Sequence, residues 1–132
     1  MRQTHGKFFW LDADIAPDCD DAAALAIFLS PAAEGRATPL GITHCTGDRF
    51  GLPTIDAIQR FAPVRNMLKR RIFKGRERLH PRNRRTLRAQ FSGKSAAAGR
   101  ALRNEFSAVP DGSVTLIGID PMINLARALQ DC

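Results

Sequence analysis

The sequence contains no tyrosine and only three cysteines, and none of its apolar runs is long. The cysteines, Cys19, Cys45 and Cys132, are odd in number and far apart, which argues against a disulfide framework or a paired zinc site. No apolar run approaches the ~20 residues needed to span a bilayer, and the N-terminal residues do not have the pattern of a signal peptide. We therefore expect a cytoplasmic protein with no membrane partner.

The alternation of short apolar segments with helical ones predicts the fold class. The 132 residues suit one ordinary domain, and 44% hydrophobic with 25% charged residues is typical of a globular protein. Strands are predicted at 7–12, 39–46 and 113–118, and helices at 22–30, 53–61, 96–106 and 122–129, with one further helix near 84–91. Strands that alternate with helices predict an α/β fold with a mostly parallel sheet and flanking helices.

Charge is distributed unevenly along the chain. Residues 60–103 carry fifteen Lys and Arg against one acid, Glu77, whereas the remaining residues carry five Lys and Arg against twelve acids. The net charge of +7 would by itself suggest a nucleic-acid partner. In the stretch 65–103, however, only Phe73 and Phe91 are aromatic, so base stacking has little support. A solvated basic face is the preferred interpretation, and a non-catalytic nucleic-acid-binding protein is the alternative.

Five aspartates fall within ten positions between the first strand and the first helix: Asp12, Asp14, Asp18, Asp20 and Asp21. The end of the first strand lies at the carboxyl edge of a parallel sheet, and ligands of open α/β sheets bind at that edge. Carboxylates that are forced together repel unless a cation or a shared proton relieves them, and hard cations such as Ca²⁺ prefer oxygen ligands. The cluster therefore predicts a metal site where a coordinated water loses its proton to a neighbouring carboxylate. In the simpler alternative, Asp20 is an N-cap and the other acids are solvated.

The pattern Asp12-Ala-Asp14, a short loop and Asp20-Asp21 resembles the opening motif of the inosine–uridine-preferring nucleoside hydrolase family. Residues 40–48, 54–58 and 110–126 resemble later segments of that family in the same order. The resemblance implies hydrolysis of the N-glycosidic bond of a nucleoside, with Ca²⁺ as the cofactor and the ribose as a bound part of the substrate. It also implies that residues 1–132 form the N-terminal portion of a doubly wound domain.

The resemblance implies a role for each matching residue of the metal site. Asp14 would be both a metal ligand and the general base for the bound water. Asp21 would be a bidentate ligand, and Asp12 would support the metal and its water. The backbone carbonyl of Ile119 would supply another ligand. A backbone ligand does not depend on which side chain stands at that position.

The resemblance also implies ribose contacts, from Asp20 and Asp48. Asp48 stands where the family usually has an asparagine, and Asp120 replaces a small residue beside the proposed carbonyl ligand. Family members are longer than this chain, and their later half supplies a further aspartate ligand and, in many members, a histidine near the leaving base. We therefore expect an incomplete calcium shell within these residues. The sequence leaves open the base preference and whether the chain forms homo-oligomers.

An apolar strand that ends in D-x-D also resembles haloacid-dehalogenase-like phosphohydrolases. In that reading Asp12 would be the nucleophile and Asp14 the acid/base. The segment Ile15-Ala16-Pro17 and the additional acids after it fit this second family less well. Trapping of an acyl phosphate on Asp12 would separate the two readings.

Overall fold

A computed structural model describes residues 7–15, 19–46, 48–62, 72–74 and 96–130 of the chain. The strands are β1 (Lys7–Ala13), β2 (Ala37–His44), β3 (Ile72–Lys74) and β4 (Val114–Gly118), and the helices are α1 (Asp20–Ala33), α2 (Gly51–Phe61), α3 (Ala96–Phe106) and α4 (Ile123–Gln130). The strands form one sheet in the order β3-β2-β1-β4, and every pairing is parallel. The prediction of an α/β fold with a parallel sheet and flanking helices is therefore confirmed. Within these residues, no helix is both long and apolar enough to cross a membrane.

Helix α1 continues past the point where the sequence predicts its end. The prediction that it stops at Ser30–Pro31 is wrong, because Pro31 lies inside the helix. Proline removes one amide donor but keeps a helical φ, so a proline in the last turn does not have to end a helix. The helix ends instead where Gly35 adopts a φ of +71° and the amide of Arg36 donates to the carbonyl of Pro31 at 2.8 Å.

The remaining boundaries differ from the prediction at the second strand and the second helix. Strand β2 begins and ends two residues earlier than predicted, and α2 begins at Gly51 rather than at Pro53. The earlier start of α2 follows from Asp48, whose carboxylate accepts the amide hydrogen of Phe50 at 2.7 Å. Strand β3 was not predicted, and the predicted helix near 84–91 lies outside the described residues.

Strand β1 lies in the middle of the sheet and separates two hydrophobic clusters. Leu11 and Ala13 pack on the side of α1 and α2, whereas Trp10 packs with residues of β2 and α3. The clusters consist of Leu11, Ala13, Ile15, Leu25, Phe28, Leu29, Ile42 and Ile55, and of Trp10, Leu40, Ala101 and Leu102. Because side chains alternate along a strand, Asp12 shares a face with Trp10 and is directed towards α4.

Candidate functional site

Asp12 is the most buried acid at the carboxyl edge of the sheet. Its side chain is 0% exposed, and its Oδ1 accepts a hydrogen bond from Nδ2 of Asn124 at 2.8 Å. Burial raises the pKa of Asp12 to about 6; hydrogen bonds from Thr43 and Asn124 oppose this shift, and the nearby Asp120 adds to it. The backbone carbonyl of Asp12 accepts the amide hydrogen of Ile119 at 3.0 Å. Asp12 is therefore fixed from the side of β4 and α4.

Asp14 and Asp21 form a second pair of acids beside the first turn of α1. Asp21 is 5% exposed, and Asp14 is half-buried. Burial raises the pKa of Asp21 to about 7, and the charge and side chain of Asp14 raise it further, as does the charge of Asp20. A hydrogen bond from the backbone amide of Asp14 acts in the opposite direction. The acids at the end of β1 and at the start of α1 thus lie close together, as the sequence predicts.

The two predicted ribose-binding aspartates occupy different positions. Asp20 is exposed in the first turn of α1, where the residue in the N-cap position is Cys19 and no side chain caps the helix. The interpretation of Asp20 as the N-cap is therefore wrong. Asp48 is half-buried, and one of its oxygens is engaged by the amide of Phe50. Asp18, the remaining acid of the motif, lies outside the described residues.

Three residues that sequence reasoning did not assign to the site lie beside Asp12. Asn124 donates to its carboxylate, Asp120 lies close enough to form a hydrogen bond with it, and Cys45 lies near both acids. Burial raises the pKa of the Cys45 thiol, and the neighbouring acids, first among them Asp120, reinforce that shift. The sequence signals for these residues are weak: Asp120 replaces a small residue beside the proposed carbonyl ligand, and Asn124 lies in the resembling segment 110–126.

His44 is a structural residue next to the site. Its side chain is 0% exposed, and its Nε2 lies 3.0 Å from Oγ1 of Thr46. The ring packs on the start of α2 so closely that a Cβ at Gly51 would lie 2.0 Å from Nε2. This placement is typical of a buried core histidine rather than a ligand, and only glycine fits at position 51.

The structure tests one of the two alternative functions, the phosphohydrolase, more directly than the other, the nucleic-acid-binding protein. A nucleophilic Asp12 must be reached by a phosphorylated substrate, but its side chain is fully buried and hydrogen-bonded to Asn124. This placement disfavours the phosphohydrolase reading. Most of the basic stretch 60–103 lies outside the described residues, so the nucleic-acid alternative stays a prediction.

An apolar groove of 490 Å³ lies elsewhere, between α3, β4 and α4. Its walls include Leu102, Phe106, Leu116, Leu125 and Leu129, and none of the predicted site residues lines it. A groove without these acids does not supply the polar groups that the predicted chemistry needs. We therefore place the candidate site at the carboxyl edge of the sheet and not in this groove.

The fold and the site together define a parallel α/β protein with buried acids at the carboxyl edge of its sheet. Among the described residues, no three His, Cys, Asp or Glu side chains form a group that could hold a metal ion. Comparison with known proteins finds no matching family model, no matching curated protein and no matching solved structure. The resemblance to the nucleoside hydrolases and the calcium ligand set therefore stay predictions.

Proposed function

We propose that this chain carries the metal- and ribose-binding part of a hydrolase of N-glycosidic bonds in nucleosides. One observation carries the proposal: segments far apart in sequence bring acids to a single edge of a parallel sheet. Asp14 meets Asp21 at the start of α1, and Asp12 meets Asp120 in the turn after β4. These are segments in which the sequence resembles that family. Their meeting supports the proposal because ligands of open α/β sheets bind at this edge.

The chemistry of these side chains suits a hard divalent cation. The candidate ligands offer oxygen atoms, and Oδ2 of Asp12 is buried without a hydrogen-bond partner. Burial and neighbouring acids raise the pKa values of both Asp12 and Asp21. A positive charge close to these acids would stabilise the ionised form of both. The resemblance implies that Asp12, Asp14, Asp21 and the backbone carbonyl of Ile119 would hold Ca²⁺, which prefers oxygen ligands. Because no three such side chains are grouped in the described part of the chain, these carboxylates would have to come together as the ion binds. Bound Ca²⁺ would supply a polarised water of lowered pKa.

The remaining chemistry is assigned to the side chains of the chain itself. Asp14 is half-buried and next to the metal position, so it would accept the proton of the attacking water as a general base. Asp20 is exposed and would accept a hydrogen bond from a ribose hydroxyl. Asp48 has one oxygen engaged by Phe50, and its other oxygen would contact the sugar. Contacts that hold the ribose in place contribute to the rate by orienting the bond that breaks.

Release of ribose from inosine and from uridine, measured as reducing sugar with the calcium-loaded chain, tests the proposal. We expect Asp14→Asn to lower the rate by a factor of about 10² to 10⁴, the usual contribution of a general base. Asp111→Asn is the matched control, because Asp111 is an exposed aspartate in the turn before β4. The Asp111→Asn control should keep the wild-type rate. Chelation of calcium should abolish hydrolysis by both proteins.

Two results would contradict the proposal. One is a wild type that neither binds calcium nor hydrolyses either nucleoside. The other is an Asp14→Asn variant that is as active as the Asp111→Asn control, since the proton would then leave by another route.

A further inference from the structure

Three buried oxygen atoms near the end of β1 have no hydrogen-bond donor. They are Oδ2 of Asp12, Oδ2 of Asp120 and Oδ1 of Asn124. The side chains of Asp12 and Asn124 are 0% and 1% exposed, so ordinary solvent does not satisfy these atoms. A buried acceptor without a partner costs about 1–3 kcal/mol, and more when it is charged. Because Asp120 lies within hydrogen-bonding range of the Asp12 carboxyl, either a shared proton or a bound cation would satisfy these oxygens.

The turn between β4 and α4 brings the three side chains together. Gly118 pairs with Asp12 across the sheet, and the amide of the next residue, Ile119, donates to the carbonyl of Asp12 at 3.0 Å. Asp120 follows directly and lies within hydrogen-bonding range of the Asp12 carboxyl. At the start of α4, Asn124 donates its Nδ2 to Oδ1 of Asp12 at 2.8 Å, and the Oδ1 of the same amide is buried without a hydrogen-bond partner.

The orientation of Asp120 is fixed by the backbone. Its Oδ1 accepts the amide hydrogen of Met122 at 3.0 Å, and Met122 has a φ of +58°, in the left-handed region. That region is unfavourable for a residue with a side chain, so the turn is held by its surroundings. The hydrogen bond directs one oxygen of Asp120 to the backbone and leaves Oδ2 for another partner.

We propose that Asp12, Asp120 and Asn124 form a binding position for a hard divalent cation, with Asp120 from the turn after β4 and Asn124 from the start of α4 as side-chain ligands. This inference rests on the proposed function in one respect, because both use Asp12 as a ligand. It extends the ligand set with one carboxylate and one amide oxygen, which are ligand types that Ca²⁺ accepts. The set includes only two acids, so it is compatible with the lack of a group of three His, Cys, Asp or Glu side chains in the described part of the chain.

The neighbouring thiol does not compete for this role. Cys45 is 0% exposed and lies within hydrogen-bonding range of Asp120. A thiol is a weak donor, and sulfur is a poor ligand for hard cations. Cys45 is therefore not counted among the ligands of the cation.

Calorimetric titration of the full chain with CaCl₂ tests this ligand set. We expect Asp120→Asn to weaken calcium binding by a factor of about 10 or more, because the charge of the ligands sets the affinity of calcium sites. Asp111→Asn removes the same charge from an exposed turn and should bind calcium as the wild type does. In the wild type, NMR should also show that calcium shifts the carboxyl carbon of Asp120 and the side-chain amide of Asn124, a result that needs no variant to fold.

The pattern of affinities separates this inference from the proposed function. Weaker binding by Asp120→Asn with normal binding by Asp14→Asn and Asp21→Asn supports the inference and contradicts the proposed ligands. Normal binding by Asp120→Asn with weak binding by Asp14→Asn and Asp21→Asn overturns the inference alone. An absence of calcium binding by the wild type also overturns it, and a proton shared between Asp12 and Asp120 would then account for the buried oxygens.

Discussion

The two pairs of acids at the carboxyl edge are built in different ways. Asp14 and Asp21 are close in sequence, and Asp21 lies in the first turn of α1 next to the backbone amide of Asp14. Asp12 is instead held by Asn124, which is 112 residues away in the chain. The first pair depends on a local turn, whereas the second depends on the whole sheet being folded. We therefore expect the Asp12–Asp120 pair to be coupled more strongly to global stability.

The largest expected effects, at Asp12 of one pair and Asp21 of the other, appear in the pH dependence of the metal-free protein. The pKa of Asp12 is about 6 in the folded chain against its ordinary value of 3.8, so the folded state binds more protons between these values. The stabilisation from the protonated acid is fully present below about pH 4 and is lost as the pH rises through 6. In EDTA, the free energy of unfolding of the wild type should fall by about 3 kcal/mol more than that of Asp12→Asn over this range.

Urea titrations of the wild type, Asp12→Asn and Asp21→Asn at several pH values would measure this difference. The pKa of Asp21 is about 7, so its contribution is lost at a slightly higher pH than that of Asp12. Added calcium should reduce the loss in the wild type, because it binds the ionised form. Parallel pH profiles for the wild type and Asp12→Asn would show that Asp12 is ionised normally in the folded chain.

A smaller effect is expected when the long-range partner of Asp12 is removed. Asn124→Ala takes away the amide that donates to a fully buried carboxyl, and we expect a loss of about 2 kcal/mol in the free energy of unfolding at neutral pH. Asn104→Ala is the control, since Asn104 is exposed in α3. Chemical denaturation in EDTA measures both, and equal stability of the two variants would remove the argument that Asn124 fixes the buried pair.

The smallest effect on stability is expected at Asp20, the exposed neighbour of the Asp14–Asp21 pair. Asp20 is exposed, and its charge raises the pKa of the neighbouring Asp21. Asp20→Asn should therefore lower the pKa of Asp21 slightly and change the stability by less than about 0.5 kcal/mol, as is usual at surface positions. Carboxyl-carbon NMR titration of Asp21 reads the shift. A rise in that pKa would contradict the assignment of Asp20 as a like-charged neighbour.

The parts of the fold that sequence reasoning predicted are those with local signals. The apolar run of β1 and its terminal acids predicted a buried strand with a site at its end, and the helix of residues 96–106 was predicted with its observed boundaries. Pro31 misled the prediction of the end of α1, because the stop signal was Gly35 with its positive φ. Strand β3 has only three residues and is too short for a periodic signal.

In the candidate site, too, the local contacts were predicted from the sequence and the long-range contacts were not. The meeting of Asp14 with Asp21 follows from a strand that runs into a helix, so spacing alone predicted it. The contact of Asn124 with Asp12 requires knowledge that β4 lies beside β1, which neither segment encodes by itself. Asp120 was noted only as a replacement of a small residue. Its approach to Asp12 follows from the register in which Gly118 pairs with that aspartate.

The burial of Trp10 gives the protein an internal optical probe. Trp10 is the only tryptophan, the chain has no tyrosine, and the indole is 0% exposed with its Nε1 donating to Thr43 at 3.0 Å. The ring also meets Phe106 edge-on, with 5.7 Å between the centroids. Thr43 in turn donates its hydroxyl to the backbone carbonyl of Leu11, the neighbour of Asp12, at 3.4 Å. Intrinsic emission from this single indole therefore reports, without a label, on the same strand that carries the buried acid.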